Sequence, residues 1–89
     1  MLCYRIVESN GADEEWQGDA GATDAAVARR LGIAADQVES LRRRITVDPV
    51  VVRRDGARWR SRQAWTVRSG DTAVRVFEML KIDEALYDH

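Results

Sequence analysis

Apolar and polar positions alternate over residues 2–8, with Leu2, Tyr4 and Ile6 on one side, and this period of two predicts a strand. Ser9-Asn10-Gly11 is turn chemistry, and the short acidic stretch 13–18 around Trp16 predicts a second, returning strand. The period then changes. Val27 and Leu31 lie four apart with Ala28 beside them, while Arg29 and Arg30 fall on the other side. This predicts a helix from Asp24 to about Leu31, capped by Thr23 and stopped by Gly32. Residues 34–44 fit two periods: Val38 and Leu41 suit a helix, whereas Leu41, Ile45 and Val47 suit a strand.

Asp55-Gly56 is a strong two-residue turn signal and predicts a hairpin over 45–68. Strict alternation along 57–68 puts Trp59, Trp65 and Val67 on one side and Arg58, Arg60, Arg62 and Arg68 on the other. The turn pairs Arg54 with Ala57 and Val52 with Trp59. One extra residue at Asp48-Pro49 would bring Ile45 opposite Trp65, so a bulge or break is expected there. After Ser69-Gly70, the spacing of Ala73, Phe77 and Leu80, with Val74, predicts a helix over 72–81 capped by Asp71, and a loosely held tail from Asp83 to His89. The expected fold is α+β: a small two-layer domain, β-α-(α)-β-β-α, with two helices packed on the tryptophan face of the hairpin. Its expected core is Val27, Leu31, Ile45, Val52, Trp59, Trp65, Phe77 and Leu80.

Charge changes the picture from fold to surface. Residues 29–75 hold twelve of the fourteen basic residues, all arginine, although the net charge is only −1. Residues 1–24 carry one Arg against six acids, 25–75 twelve Arg against five, and 76–89 one Lys against four. Such a dipole suits a polyanion or an acidic protein face. Arg53 and Arg58 should face each other across the hairpin, and Arg42 should lie near Arg68. Like charges so placed destabilise a ladder by about 0.2–1 kcal/mol, which argues for a counter-charged partner over a plain solvated face. Arginine in place of lysine favours bidentate contact with phosphate or carboxylate.

At 89 residues and 45% hydrophobic, with three tryptophans, the chain reads as one folded domain. Cys3 and His89 are each the only residue of their type, so no disulfide, zinc-finger spacing or Cys/His dyad can be drawn. Ser40, Ser61 and Ser69 have no histidine partner, and no Gly-Lys-Ser/Thr follows the glycines. Asp13-Glu14-Glu15 lacks ordered metal-ligand spacing. The expectation is a non-enzyme without cofactor or metal. No apolar run reaches ten residues and no secretory signal is present, so a cytoplasmic location is expected.

Val27, Ala28, Leu31, Gly32, Ile33, Val38 and Leu41 fall at the spacings of a helix-turn-helix unit, and over about 24–44 the chain resembles such DNA-binding units. The resemblance implies a recognition helix from Asp36 to Arg44, which includes Gln37. It also implies a wing formed by the Asp55-Gly56 hairpin and a first helix supplied by 72–81. Asp36 and Glu39 depart from it, since they repel phosphate. Arg29-Arg30-Leu31-Gly32-Ile33 also resembles small α/β modules at the front of some flavin-dependent dehydrogenases, which implies a βαββ order.

The residues expected to bind are therefore Gln37, Arg42, Arg43, Arg44, Arg53, Arg54, Arg58, Arg60, Arg62 and Arg68. The expected function is a regulatory nucleic-acid-binding module. The alternative is a phage or mobile-element accessory protein acting by protein–protein interaction, such as an inhibitor of a host nucleoprotein complex. Expected partners are nucleic acid or an acidic protein surface, not a membrane, with room for a homodimer.

Overall fold

The computed structural model describes residues 1–9, 13–45 and 47–82. Among them the chain forms β1 (Leu2–Glu8), β2 (Glu14–Gln17), α1 (Ala20–Leu31), α2 (Ala35–Leu41), β3 (Arg43–Arg44), β4 (Val50–Arg54), β5 (Ala57–Ser69) and β6 (Thr72–Lys81). The six strands make one antiparallel sheet in the order β2-β1-β6-β5-β3, with β4 pairing the other half of β5 on the same edge as β3. The α+β two-layer class is as expected. The expected tail from Asp83 to His89 lies outside the described residues.

The largest correction is β6, which replaces the helix expected over 72–81. Ser69 pairs with Thr72 across a two-residue turn in which Gly70 takes φ 61°. Val74 and Val76 are buried on one side and Met79 on the other. The apolar residues fit a strand clothed on both sides, and the helical spacing of Ala73, Phe77 and Leu80 is incidental. Leu80 is 45% exposed and is not core. Once Asp55-Gly56 and Ser69-Gly70 each made a tight turn, β5 gained a partner on either side.

α1 begins four residues earlier than expected. Asp19 caps it, its carboxylate accepting from the Ala22 amide at 2.7 Å. Thr23 is instead a buried residue of the first turns, its hydroxyl donating to the Asp19 carbonyl. Gly32 ends the helix as expected, at φ 68°. A Cβ there would meet nothing within 4 Å, so the cost of adding one is conformational alone. Gly32→Ala should lower stability by about 1–2 kcal/mol in urea unfolding, and Gly32→Asn by less.

The ambiguity at 34–44 resolves as both periods in turn, α2 followed by β3. The hairpin register is as read for Arg54↔Ala57, Arg53↔Arg58 and Val52↔Trp59, with Asp55 and Gly56 at φ 53° and 76°. The break near Pro49 absorbs two extra residues instead of one, because Val50 pairs Ser61 and Arg44 pairs Trp65. Arg44, not Ile45, therefore faces Trp65.

A second irregularity divides the tryptophans. Gln63 pairs Phe77 and Trp65 pairs Val76, leaving Ala64 as a bulge that reverses the alternation. Residues paired across a ladder leave the same side of a sheet. Trp65 and Val67 therefore share the helix-bearing face with Ile6, Val74 and Val76, where Ala26, Val27, Ala28 and Val38 close the core. Trp59 lies on the opposite face with Cys3 and Met79, beside Trp16, Val52, Ala57 and Phe77. The single tryptophan face is corrected to two. Leu31, Ile45, Val52 and Phe77 are partly buried, not central.

Among the described residues no helix covers the second core; the sheet curls over it. Trp16 on β2 meets Trp59 on β5 edge-on at 5.3 Å, and the Arg54 guanidinium of β4 lies 3.9 Å over the Trp16 ring. In a flat sheet β2 and β5 would stand roughly 14 Å apart, so these contacts require strong curvature. The contact also gives Trp16 a structural role, half-buried beneath Arg54.

Candidate functional site

The helices cover only one half of their face. On the other half the registers build a row across four strands, Leu2–Leu80–Arg60–Val51, in which every residue is exposed. The next row is Tyr4–Glu78–Arg62, and Arg53 faces Arg58 toward the hairpin tip. Arg44, opposite Trp65, closes the near side. Hollows of about 170, 210 and 290 Å³ share Arg44, Arg62 and Glu78 in turn and form one trough. It runs from Ala20 and Thr23 on α1 to Arg60 and Leu80.

Five arginines, 44, 53, 58, 60 and 62, thus occupy this half-face, and among the described residues Glu78 is the single carboxylate in register with them. Glu78 accepts from Arg62 at 3.0 Å, but the pair is solvent-exposed and contributes little to stability. Arg44, Arg53 and Arg60 make no ion pair among the described residues.

The sequence expected this arginine side to turn away from Trp65. The bulge at Ala64 instead puts it on the same face as Trp65, beyond the end of the helical layer. The other expected site residues scatter. Arg54 sits on Trp16 and 3.6 Å from Asp55, on the curled face. Arg43 pairs Thr66, and Arg68 pairs Ala73, so both leave that same opposite side. Arg42 donates to Asp24 at 2.7 Å and lies 4.1 Å over the Trp65 ring, which ties it to the packing of α1. Gln37 is turned inward on its own helix, its amide oxygen accepting from the Ala34 N–H.

α1 and α2 do pack as a helix, a Gly32 turn and a helix, with the Ile33 amide donating to the Ala28 carbonyl. The expected recognition helix, however, ends at Leu41, so Arg43 and Arg44 belong to a strand. Asp36 and Glu39 are exposed on α2, and 72–81, expected to supply the first helix of the winged arrangement, is strand β6. No family model matches this chain, and neither a curated protein nor a solved structure matches it.

The acidic segment pairs locally rather than with the hairpin arginines. Glu14 holds Arg5 at 3.3 Å, and Glu15 holds Arg29 at 3.0 Å with Arg30 close by. The Gln17 amide keeps the Glu15 carboxyl below the usual carboxylate range; burial opposes this and Arg29 assists it. These pairs explain why β2 and α1 consume acids while the hairpin is left cationic.

Cys3 carries the single thiol of the chain. It is 8% exposed, and burial pushes its thiol up despite the opposing fields of Arg54 and the N-terminal ammonium. At neutral pH it should react with a disulfide reagent far more slowly in the folded protein than in the denatured chain, a difference read directly from the absorbance of released thiolate.

Proposed function

We propose that this chain is a small non-catalytic binding module that lays a nucleic-acid backbone across the open half of its helix-bearing sheet face. The observation that supports it is the gathering of Arg44, Arg53, Arg58, Arg60 and Arg62 on one half-face, where among the described residues Glu78 is the one carboxylate in register with them. Alternate residues of a strand stand about 6.8 Å apart, so Arg58, Arg60 and Arg62 offer a linear file of guanidinium groups along β5. Each can grip phosphate in bidentate fashion. In this reading the helix pair packs the core, and the acids on α2 keep it from the backbone.

Gel-shift titrations against duplex DNA, single-stranded DNA and RNA at two salt concentrations test it. Binding must weaken steeply with salt, with a log–log slope of about −2.7 to −4.5 on duplex DNA, and about −2.1 to −3.5 on single strands, if three to five phosphates are neutralised. Tight binding to none of the three at low salt rejects the proposal.

One observation favours a second reading. Leu2, Leu80 and Val51 are 47%, 45% and 60% exposed in the same row as Arg60. An apolar centre rimmed by arginine also suits an acidic protein partner, as an accessory inhibitor of a nucleoprotein complex would need. In that case Leu80→Asp would abolish partner capture while leaving the small affinity for random DNA unchanged.

A further inference from the structure

A separate cleft lies where the chain leaves α2 and enters β3. It has a volume of about 810 Å³ and is lined by Ser40, Leu41, Arg42, Arg43, Thr66, Arg68 and Gly70. Among the described residues no carboxylate lines it. A cavity of this size is in the range that holds a small molecule.

Its charges are unbalanced. Arg43 pairs Thr66 across the ladder, and Arg68 lies two residues further along β5, so the two arginines are diagonal neighbours roughly 7–8 Å apart on one side of the sheet. Both are exposed, and neither has an ion pair among the described residues. Arg42 is occupied by Asp24 and Trp65 and cannot move toward a ligand without giving them up. The two free guanidiniums can clamp one phosphate between them.

The hydroxyls have a defined direction. Ser40 Oγ donates to the Gln37 carbonyl at 2.9 Å, and Thr66 Oγ1 donates to the Val74 carbonyl at 3.0 Å. With their protons committed, both oxygens present lone pairs, so they accept from a ligand. Phosphate dianion has no proton to give them; sugar hydroxyls have. Leu41, 40% exposed, adds an apolar wall. Two cationic donors, two acceptors and one apolar contact together match an anion carrying hydroxyl groups and a less polar body.

We propose that this cleft binds a phosphate monoester of a hydroxylated carrier, of nucleoside-monophosphate size, with Arg43 and Arg68 on the phosphate and Ser40 and Thr66 on the sugar. Arg43 and Arg68 leave the opposite side of the sheet from the arginine trough, although Arg42 at the sheet edge borders both hollows, and the site does not depend on the function proposed for the trough.

The test is a titration of the isotope-labelled full chain with AMP, ribose 5-phosphate, inorganic phosphate and adenosine, followed by amide chemical shifts. AMP should move the amides of residues 40–43 and 66–70, with a dissociation constant below about 1 mM. Arg43→Ala and Arg68→Ala should each weaken it by about tenfold or more, while Arg60→Ala leaves it unchanged. All three positions are exposed, and retained shift dispersion confirms that the variants fold. Ribose 5-phosphate binding as tightly as AMP supports the assignment and places recognition on sugar and phosphate. Inorganic phosphate or adenosine binding as tightly as AMP overturns it, as does an AMP response that is absent or indifferent to Arg43 and Arg68.

Discussion

Reversing Arg60 and Arg62 to glutamate should reduce nucleic-acid affinity by about 100-fold or more at low salt while leaving the fold intact. Two phosphate contacts disappear, and the slope of log affinity against log salt should become shallower by about 2. Both side chains are exposed on the helix-free half of their face, so neither core loses a contact. The structural cost is local. Arg62→Glu places a carboxylate opposite Glu78, and like charges so paired destabilise by about 0.2–1 kcal/mol. Circular dichroism and urea unfolding should therefore be close to wild type, with a somewhat lower midpoint. The control is Arg29→Glu, which removes an arginine bound to Glu15 of β2, the strand at the opposite edge of the sheet from β3 and β4. Equal losses from the control and the double reversal would mean that net charge, not this half-face, governs binding. An unchanged affinity in a folded double variant would reduce the arginine file to a solvated surface.

What was legible in the sequence was local. Asp55-Gly56 set the hairpin and the register of its first five pairs, because a two-residue turn leaves no freedom there. Gly32 stopped α1 because only a left-handed residue could. What was not legible depended on partners distant in sequence. The stretch 72–81 has a helical stripe and a two-sided strand pattern at once. Only the presence of β1, whose paired residues lie 66 to 78 positions earlier in the chain, at its far edge makes the strand the lower state. The Ala64 bulge has no signature of its own, yet it moves every residue before it to the other face. It explains why Trp59 and Trp65 separate and why the arginine file joins the helix-bearing side. The membership of the site was read better than its geometry. Arg44, Arg53, Arg58, Arg60 and Arg62 do share one face, but Arg43, Arg54 and Arg68 left it, and Arg42 is held by Asp24 and Trp65. The exposed row through Leu2 and Leu80 could not be seen at all while 72–81 was read as a helix.

Truncating either buried tryptophan should cost about 3–5 kcal/mol, a large share of the roughly 5–15 kcal/mol available to a domain. The two losses should nevertheless be distinguishable, because the rings serve separate cores. Trp65 packs with Val38, Val67 and Val76 under the helices and carries Arg42 on its face. Trp65→Ala should loosen the helical layer while Cys3, on the other face, stays protected under native conditions. Trp59 covers Cys3 and Met79 and meets Trp16 edge to face, and among the described residues no helix stands behind it. Trp59→Ala removes the contact that holds the curled sheet closed, so native-state Cys3 should become reactive toward a disulfide reagent even where the protein remains folded. Urea unfolding measures the two stability losses, and thiol reactivity at low urea separates the faces. A loss below about 1 kcal/mol for Trp65→Ala would place that ring at the surface. Equal exposure of Cys3 in both variants would mean one shared core, and with it the bulge at Ala64 would lose its place as the element that divides the sheet into two faces.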